Sequence, residues 1–172
     1  ARFERASLGM YSLAALSWMF RHSKLPWDAL LVASVRVILR SHGITSGHLM
    51  LDDTDNARSK AAKALAHLYK LRDKESGGYV WGQSLVFLVL VTPKISLPVG
   101  FVFYQPAPEL SAWYKQVKVL KKQGVPPKQR PPKPTPHAQY PTKQQLALRL
   151  LAAFKAHHPA IRVHCIAADA LY

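Results

Sequence analysis

Acidic side chains follow two apolar, strand-like segments of this 172-residue chain. Asp52-Asp53-Thr54-Asp55 comes directly after Leu49-Met50-Leu51, and Asp169 follows the apolar run of residues 161–168. Each group of acids therefore sits at the carboxyl end of a predicted strand. In open α/β sheets this is where ligand sites form.

Strand periodicity predicts the face that each acid occupies. Side chains alternate along a strand, so Asp53 shares a face with Leu49 and Leu51. The same rule places Asp169 in one row with four residues of its own strand, namely Ile161, Val163, Cys165 and Ala167. If the two strands are neighbours, the carboxylates lie about 5 Å apart and repel, so a proton or a cation must sit between them. A divalent metal with oxygen ligands, such as Mg²⁺, is the expected occupant.

The composition is strongly basic, with 24 Lys and Arg against 9 Asp and Glu and a formal net charge of +15. Such an excess favours a polyanionic partner, either nucleic acid or an anionic membrane surface. A membrane span is not expected, because the longest apolar run of the 80–104 region, Leu85 to Val91, has seven residues where a helix needs about 20. The candidate nucleic-acid-binding residues are Arg58, Lys60, Lys63, Lys121, Lys122, Lys128, Arg130 and Lys133.

Helical and β-type patterns alternate along the chain. Helices are predicted over 7–21, over 26–41 with Gly43 as the stop, and over 59–71 by propensity. Two Val- and Phe-rich runs, 79–91 and 96–104, indicate a hairpin whose near-continuous apolarity predicts that both of its faces are covered.

The second half of the chain changes composition before order returns. Residues 105–142 carry seven prolines between Pro126 and Pro141, which predicts a basic insertion of polyproline character outside the core. Thr142 and Gln145 fit a capping box at the start of a further helix, and the last strand covers residues 161–168. Cys165 is expected to be a small buried apolar residue. Because a helix between two strands is the connection that parallel neighbours need, the fold class is α/β with a mixed sheet.

The two acidic segments also resemble a known family. Leu49-Met50-Leu51-Asp52-Asp53-Thr54-Asp55-Asn56 is similar to the first-Asp motif of the DDE transposases of bacterial insertion sequences, most closely the insertion-sequence-four type. Ile166-Ala167-Ala168-Asp169-Ala170-Leu171-Tyr172 resembles their second-Asp motif. The resemblance covers residues 45–172 and implies an incomplete RNase H-like catalytic core with the basic Pro-rich insertion at 105–142, preceded by a helical segment at 1–44.

This resemblance implies a metal-dependent enzyme that nicks transposon ends and joins them to target DNA. Asp53, the acid before Thr54, and Asp169 would be the catalytic residues and the ligands of Mg²⁺ or Mn²⁺. The family's third ligand is a Glu within a Tyr–Arg–Glu–Lys signature, and the sequence departs from the pattern there, because no acid follows Asp169. The chain is therefore expected to be an inactive fragment of a cytoplasmic transposase that forms a homodimer when complete.

Two other interpretations remain open. The acids are incidental if the chain is a non-catalytic basic module that binds nucleic acid. Alternatively, the chain is another RNase H-like nuclease, although the long interval from Asp53 to Asp169 argues against a compact RNase H.

Overall fold

The computed structural model describes residues 10–58, 65–73, 76–135 and 137–169. These residues form a mixed α/β structure, as the sequence predicted. In chain order the elements are α1 (Leu13–His22), α2 (Trp27–Ser41), β1 (Ser46–Ala57), β2 (Tyr69–Arg72), β3 (Tyr79–Val91), β4 (Ser96–Tyr104), α3 (Pro108–Lys122), a 3-10 turn (Pro127–Gln129), α4 (Lys143–His157) and β5 (Arg162–Ala168).

Local sequence signals set the bounds of several elements. The predicted capping box is present at α4, where the Thr142 hydroxyl accepts from the Gln145 backbone N–H and the Gln145 side chain accepts from the Thr142 N–H. Gly43 follows α2 with φ +58°, a left-handed conformation in which glycine has no Cβ penalty. The hairpin prediction is confirmed, because β3 and β4 pair in antiparallel fashion over the predicted ranges.

The five described strands form one mixed sheet. β1 lies at its centre, antiparallel to β3 on one side and parallel to β5 on the other. β2 and β4 both pair with β3, along the edge that faces away from β1. The helix α4 connects β4 to the parallel strand β5 after the basic segment, as the α/β interpretation requires.

One face of the sheet carries the core. Alternate residues of β1 and β3, together with side chains of α2 and α4, form a single buried cluster that includes Leu49, Leu51 and Leu88. The opposite face stays partly open among the described residues, since Met50 and Phe101 are 47% and 40% exposed. The expectation that both faces of the hairpin are covered is confirmed for residues 82–91 of β3, none of which is exposed, and is wrong for β4 at Phe101.

Two further expectations need correction. Residues 69–71 were expected to be helical, but they belong to β2, because pairing with β3 satisfies their backbone groups. Residues 59–64 of that predicted helix lie outside the described ranges. The 105–142 segment is not wholly of polyproline character, since α3 occupies residues 108–122 and buries Val117. No helix in the described ranges has the length and apolar character needed to cross a bilayer.

Candidate functional site

Asp53 lies on the core side of the sheet. In β1 the buried positions alternate through Leu49 and Leu51, and Asp53 continues that row, as the sequence predicted. The expectation that these acids stand at the carboxyl end of the strand is wrong, because pairing with β3 extends β1 to Ala57. Its side chain is 17% exposed, whereas the flanking Asp52 faces solvent. A carboxylate this far covered needs a nearby opposite charge, because removing it from water without one is costly.

The opposite charge comes from α4. The Lys143 ammonium forms an ion pair with Asp53 Oδ2, and the Lys143 side chain is 25% exposed. The same Nζ lies 5.4 Å from the centre of the Tyr104 ring, so the ammonium sits between a carboxylate and the π-face of an aromatic side chain. We call Asp53, Lys143 and Tyr104 the Asp53 cluster.

Two tyrosines show the electrostatic character of this region. Burial raises the pKa of Tyr104, and the positive charge of Lys143 partly opposes that rise. Burial is also the main cause that raises the pKa of Tyr69 to about 12, and the negative charges of Asp55 and Asp53 add to it. Both phenols therefore stay protonated near neutral pH and can donate hydrogen bonds.

Asp169 comes next to β1 through the parallel pairing of β5. Leu51 pairs with Ala168, the last residue of β5, so Asp169 follows directly at the level of Asp52 and about 6 Å from Asp53 at Cα. Its side chain is exposed. The two acid-bearing strands are therefore neighbours, a condition that the sequence had left open.

The predicted row of side chains along β5 is wrong. The register shifts between Gly47 and Leu49 of β1, which inserts an extra residue in β5. Val163 lies on the core side, but Cys165 turns to the other face, where its Sγ is 3.1 Å from His48 Nδ1. Cys165 is exposed, contrary to the expectation of a buried residue.

The chemistry of the acidic residues suits a hard divalent cation, which prefers carboxylate oxygens and completes its shell with water or phosphate oxygens. Asp53 and Asp169 are the residues that could hold such an ion. The register places Asp169 level with Asp52, on the side of the sheet opposite to Asp53, so the expectation that the two carboxylates face each other across the ladder is wrong. A shared ion requires the Asp169 side chain, which follows the last paired residue of β5, to turn toward the Asp53 side. Asp52 is less suitable, since its Oδ1 already accepts from the Asp53 backbone N–H at 2.8 Å. Within the described residues no three His, Cys, Asp or Glu side chains converge to form a metal site.

The basic residues of the insertion lie on a separate substructure, residues 108–133, which we call the basic arm. Trp113, Val117 and Leu120 form one face of α3, and the Trp113 indole N–H donates to the Pro131 carbonyl at 2.9 Å. The proline-rich segment therefore folds back along α3. Six lysines of the arm are exposed, namely Lys115, Lys118, Lys121, Lys122, Lys128 and Lys133.

The remaining candidate nucleic-acid-binding residues are in different situations. Arg130 holds the arm together, because its Nε and Nη2 donate to the Val125 carbonyl at 2.9 and 2.7 Å. Arg58 is exposed near the end of β1, and its Nε donates to Gln83. Lys60 and Lys63 lie outside the described residues.

A cavity of about 360 Å³ lies between the basic arm and the start of α4. Tyr104 and Thr142 line it on the side of the Asp53 cluster, and Lys133 and Glu109 line it on the side of the arm. The cavity therefore lies between Tyr104 of the Asp53 cluster and Lys133 of the basic arm.

Sequence reasoning missed Lys143 and Tyr104. Lys143 could have been noticed, because it is a lysine in the first turn of a helix with no acidic residue there, and a positive charge at a helix N-terminus is unfavourable. Tyr104 gave no signal beyond its β propensity.

Comparisons with protein-family models, with curated proteins and with solved structures find no match to this chain.

Proposed function

We propose that this chain is part of the catalytic core of a DDE-type DNA transposase, with Asp53 and Asp169 as ligands of Mg²⁺ or Mn²⁺ on an RNase H-like sheet. The observation that carries the proposal is the parallel pairing of β5 with β1, which brings Asp169 level with Asp52 and about 6 Å from Asp53 at Cα. An antiparallel hairpin on the other side of β1 is the arrangement that the resemblance to the family leads us to expect.

In this proposal each part of the chain has a separate task. Asp53 and Asp169 hold the cation, which would stabilise the charge that develops on a phosphodiester during cleavage or strand transfer. The lysines of the basic arm bind the DNA backbone through its phosphates, which positions the duplex without reading its sequence. The cavity beside Tyr104 lies between these two parts.

Metal binding is the first test. Calorimetric titration with MnCl₂ should show weak binding, because two carboxylates leave most coordination positions to water. Asp53→Asn and Asp169→Asn should each abolish the heat of binding. Asp55→Asn, which removes an exposed acid of the same strand, should change the affinity little.

The opposite result would be undiminished Mn²⁺ binding in the Asp53→Asn, Asp169→Asn double variant, which would show that the cation binds elsewhere. Wild-type thermal unfolding should also shift upward with Mn²⁺, since a ligand that binds only the folded state stabilises it.

A non-catalytic module that binds nucleic acid is the second candidate. It is favoured by the basic arm, whose six exposed lysines accompany a single acid, Glu109. DNA binding that is the same in EDTA and in Mn²⁺, and the same after Asp53→Asn, would support this module over the transposase core.

A further inference from the structure

Lys143 occupies an unusual position for a lysine. It is the first residue of α4, directly after the capping residue Thr142, and the first turn of α4 has no acidic residue. The N-terminal end of a helix carries a partial positive charge, so an ammonium there is repelled by the helix itself. The capping box fixes the start of α4, which prevents the helix from beginning later and releasing Lys143 from this position.

The ion pair with Asp53 offsets that repulsion. Both side chains are largely covered, at 25% and 17% exposure, so solvent screens their attraction less than it would at an open surface. The Tyr104 ring, 5.4 Å from Nζ, covers the ammonium from another direction. Lys143 is therefore held at the carboxylate by charge and by packing together.

We propose that Lys143 is a tethered counter-ion that occupies the cation position of Asp53 until a divalent metal replaces it. The inference rests on the proposed function, because it takes Asp53 as a metal ligand. The carboxylate oxygen that pairs with the ammonium is one that a metal would need, and two cations in contact with it would repel each other. Metal binding then requires Lys143 to withdraw, which lowers the apparent affinity for the metal.

The replacement of Lys143 by a metal at Asp53 keeps this partly covered carboxylate neutralised in both states. Without a metal, the Asp53 charge would stay uncompensated beside the core, at a cost to the folded state. The tethered ammonium removes that cost. Because linkage is reciprocal, metal binding weakens the Asp53–Lys143 ion pair by the same free energy by which the ion pair weakens metal binding.

The test is the Mn²⁺ affinity of Lys143→Met, measured by calorimetry at constant ionic strength. Removing the competing ammonium should tighten binding about fivefold, which corresponds to about 1 kcal/mol, the upper end for a pair at the surface. Lys155→Met is the matched control. It removes an exposed lysine of the same helix and changes the net charge of the chain by the same amount as Lys143→Met. Its affinity should stay within about twofold of wild type.

Thermal unfolding in EDTA supplies a second measurement. Lys143→Met should unfold at a lower temperature than wild type, because Asp53 loses its counter-ion, and Mn²⁺ should raise its midpoint more than that of wild type. If Lys143→Met does not fold, Lys143→Gln serves in its place, because the amide is neutral and can still donate to the carboxylate.

The outcomes separate the two proposals. Unchanged or weaker Mn²⁺ binding in the Lys143 variant, with binding lost in Asp53→Asn, would overturn the counter-ion role and leave the metal site in place. No Mn²⁺ binding that depends on Asp53, in wild type and in the Lys143 variant alike, would overturn the metal site and the counter-ion role with it.

Discussion

Neutralising Lys121 and Lys122 should weaken DNA binding and make it less sensitive to salt. Both lysines are exposed at the end of α3, in the basic arm. Each phosphate contact by a cation releases condensed counter-ions, which contributes about 0.9 to the slope of log affinity against log salt for duplex DNA. The six exposed lysines of the arm then predict a wild-type slope of about −5 if all six contact phosphates.

The magnitudes follow from that count. Between 50 and 200 mM salt the wild-type affinity should fall by about a thousandfold. In the Lys121→Gln, Lys122→Gln double variant the slope should decrease to about −3.5, because two of the six contacts are lost. Affinity should fall equally for duplexes of unrelated sequence, since phosphate contacts carry no sequence information.

Fluorescence anisotropy with a labelled duplex, repeated at several salt concentrations, measures these slopes. The matched control is Lys24→Gln, Lys155→Gln, which removes two exposed lysines outside the arm and leaves the same net charge. A slope near zero in wild type would refute the polyanion interpretation. Equal slopes in the two double variants would refute the placement of the DNA backbone on the arm.

Three stability measurements test the fold. A Cβ at Gly82 would lie 2.7 Å from the Asn56 backbone oxygen and would also clash with the Leu71 side chain, so Gly82→Ala should lower the free energy of unfolding by about 2 kcal/mol in urea denaturation. Gly78→Ala should cost less, because the nearest atom there is Ser76 Oγ at 3.3 Å, on a flexible side chain; equal effects would contradict the close packing around Gly82. Thr142→Ala removes the cap of α4 and should cost about 1 kcal/mol in the same assay, and no loss would contradict the capping box. His158 is buried, and burial, with the charges of neighbouring basic groups, lowers its pKa below 6.5. As pH falls, His158 therefore takes up a proton more readily in the unfolded chain than in the folded one. The stability that neutral His158 provides is present above about pH 6.5 and is lost as pH falls. His158→Gln should make the free energy of unfolding less dependent on pH, and an unchanged pH dependence would contradict this role of His158.

Local patterns predicted several elements because the interactions that define them are local. The capping box of α4 involves residues three apart, and the hairpin of β3 and β4 follows from two β-rich runs separated by a short turn. The position of Asp53 on the core side also followed from alternation, since β1 is regular through Leu49 and Leu51. Helix α3 could have been found from the helical spacing of Trp113, Val117 and Leu120, but the high proline content that begins at Pro126 obscured it.

The sequence by itself determined the mixed α/β class, the acid that follows β5 and the basic character of the insertion. Only the tertiary structure decided which side chains meet. The bulge in β5 moves Cys165 to the outer face, because one inserted residue reverses the alternation beyond it. The pairing of Lys143 with Asp53 joins residues 90 positions apart, and it depends on how α4 packs across the sheet, which no local pattern encodes.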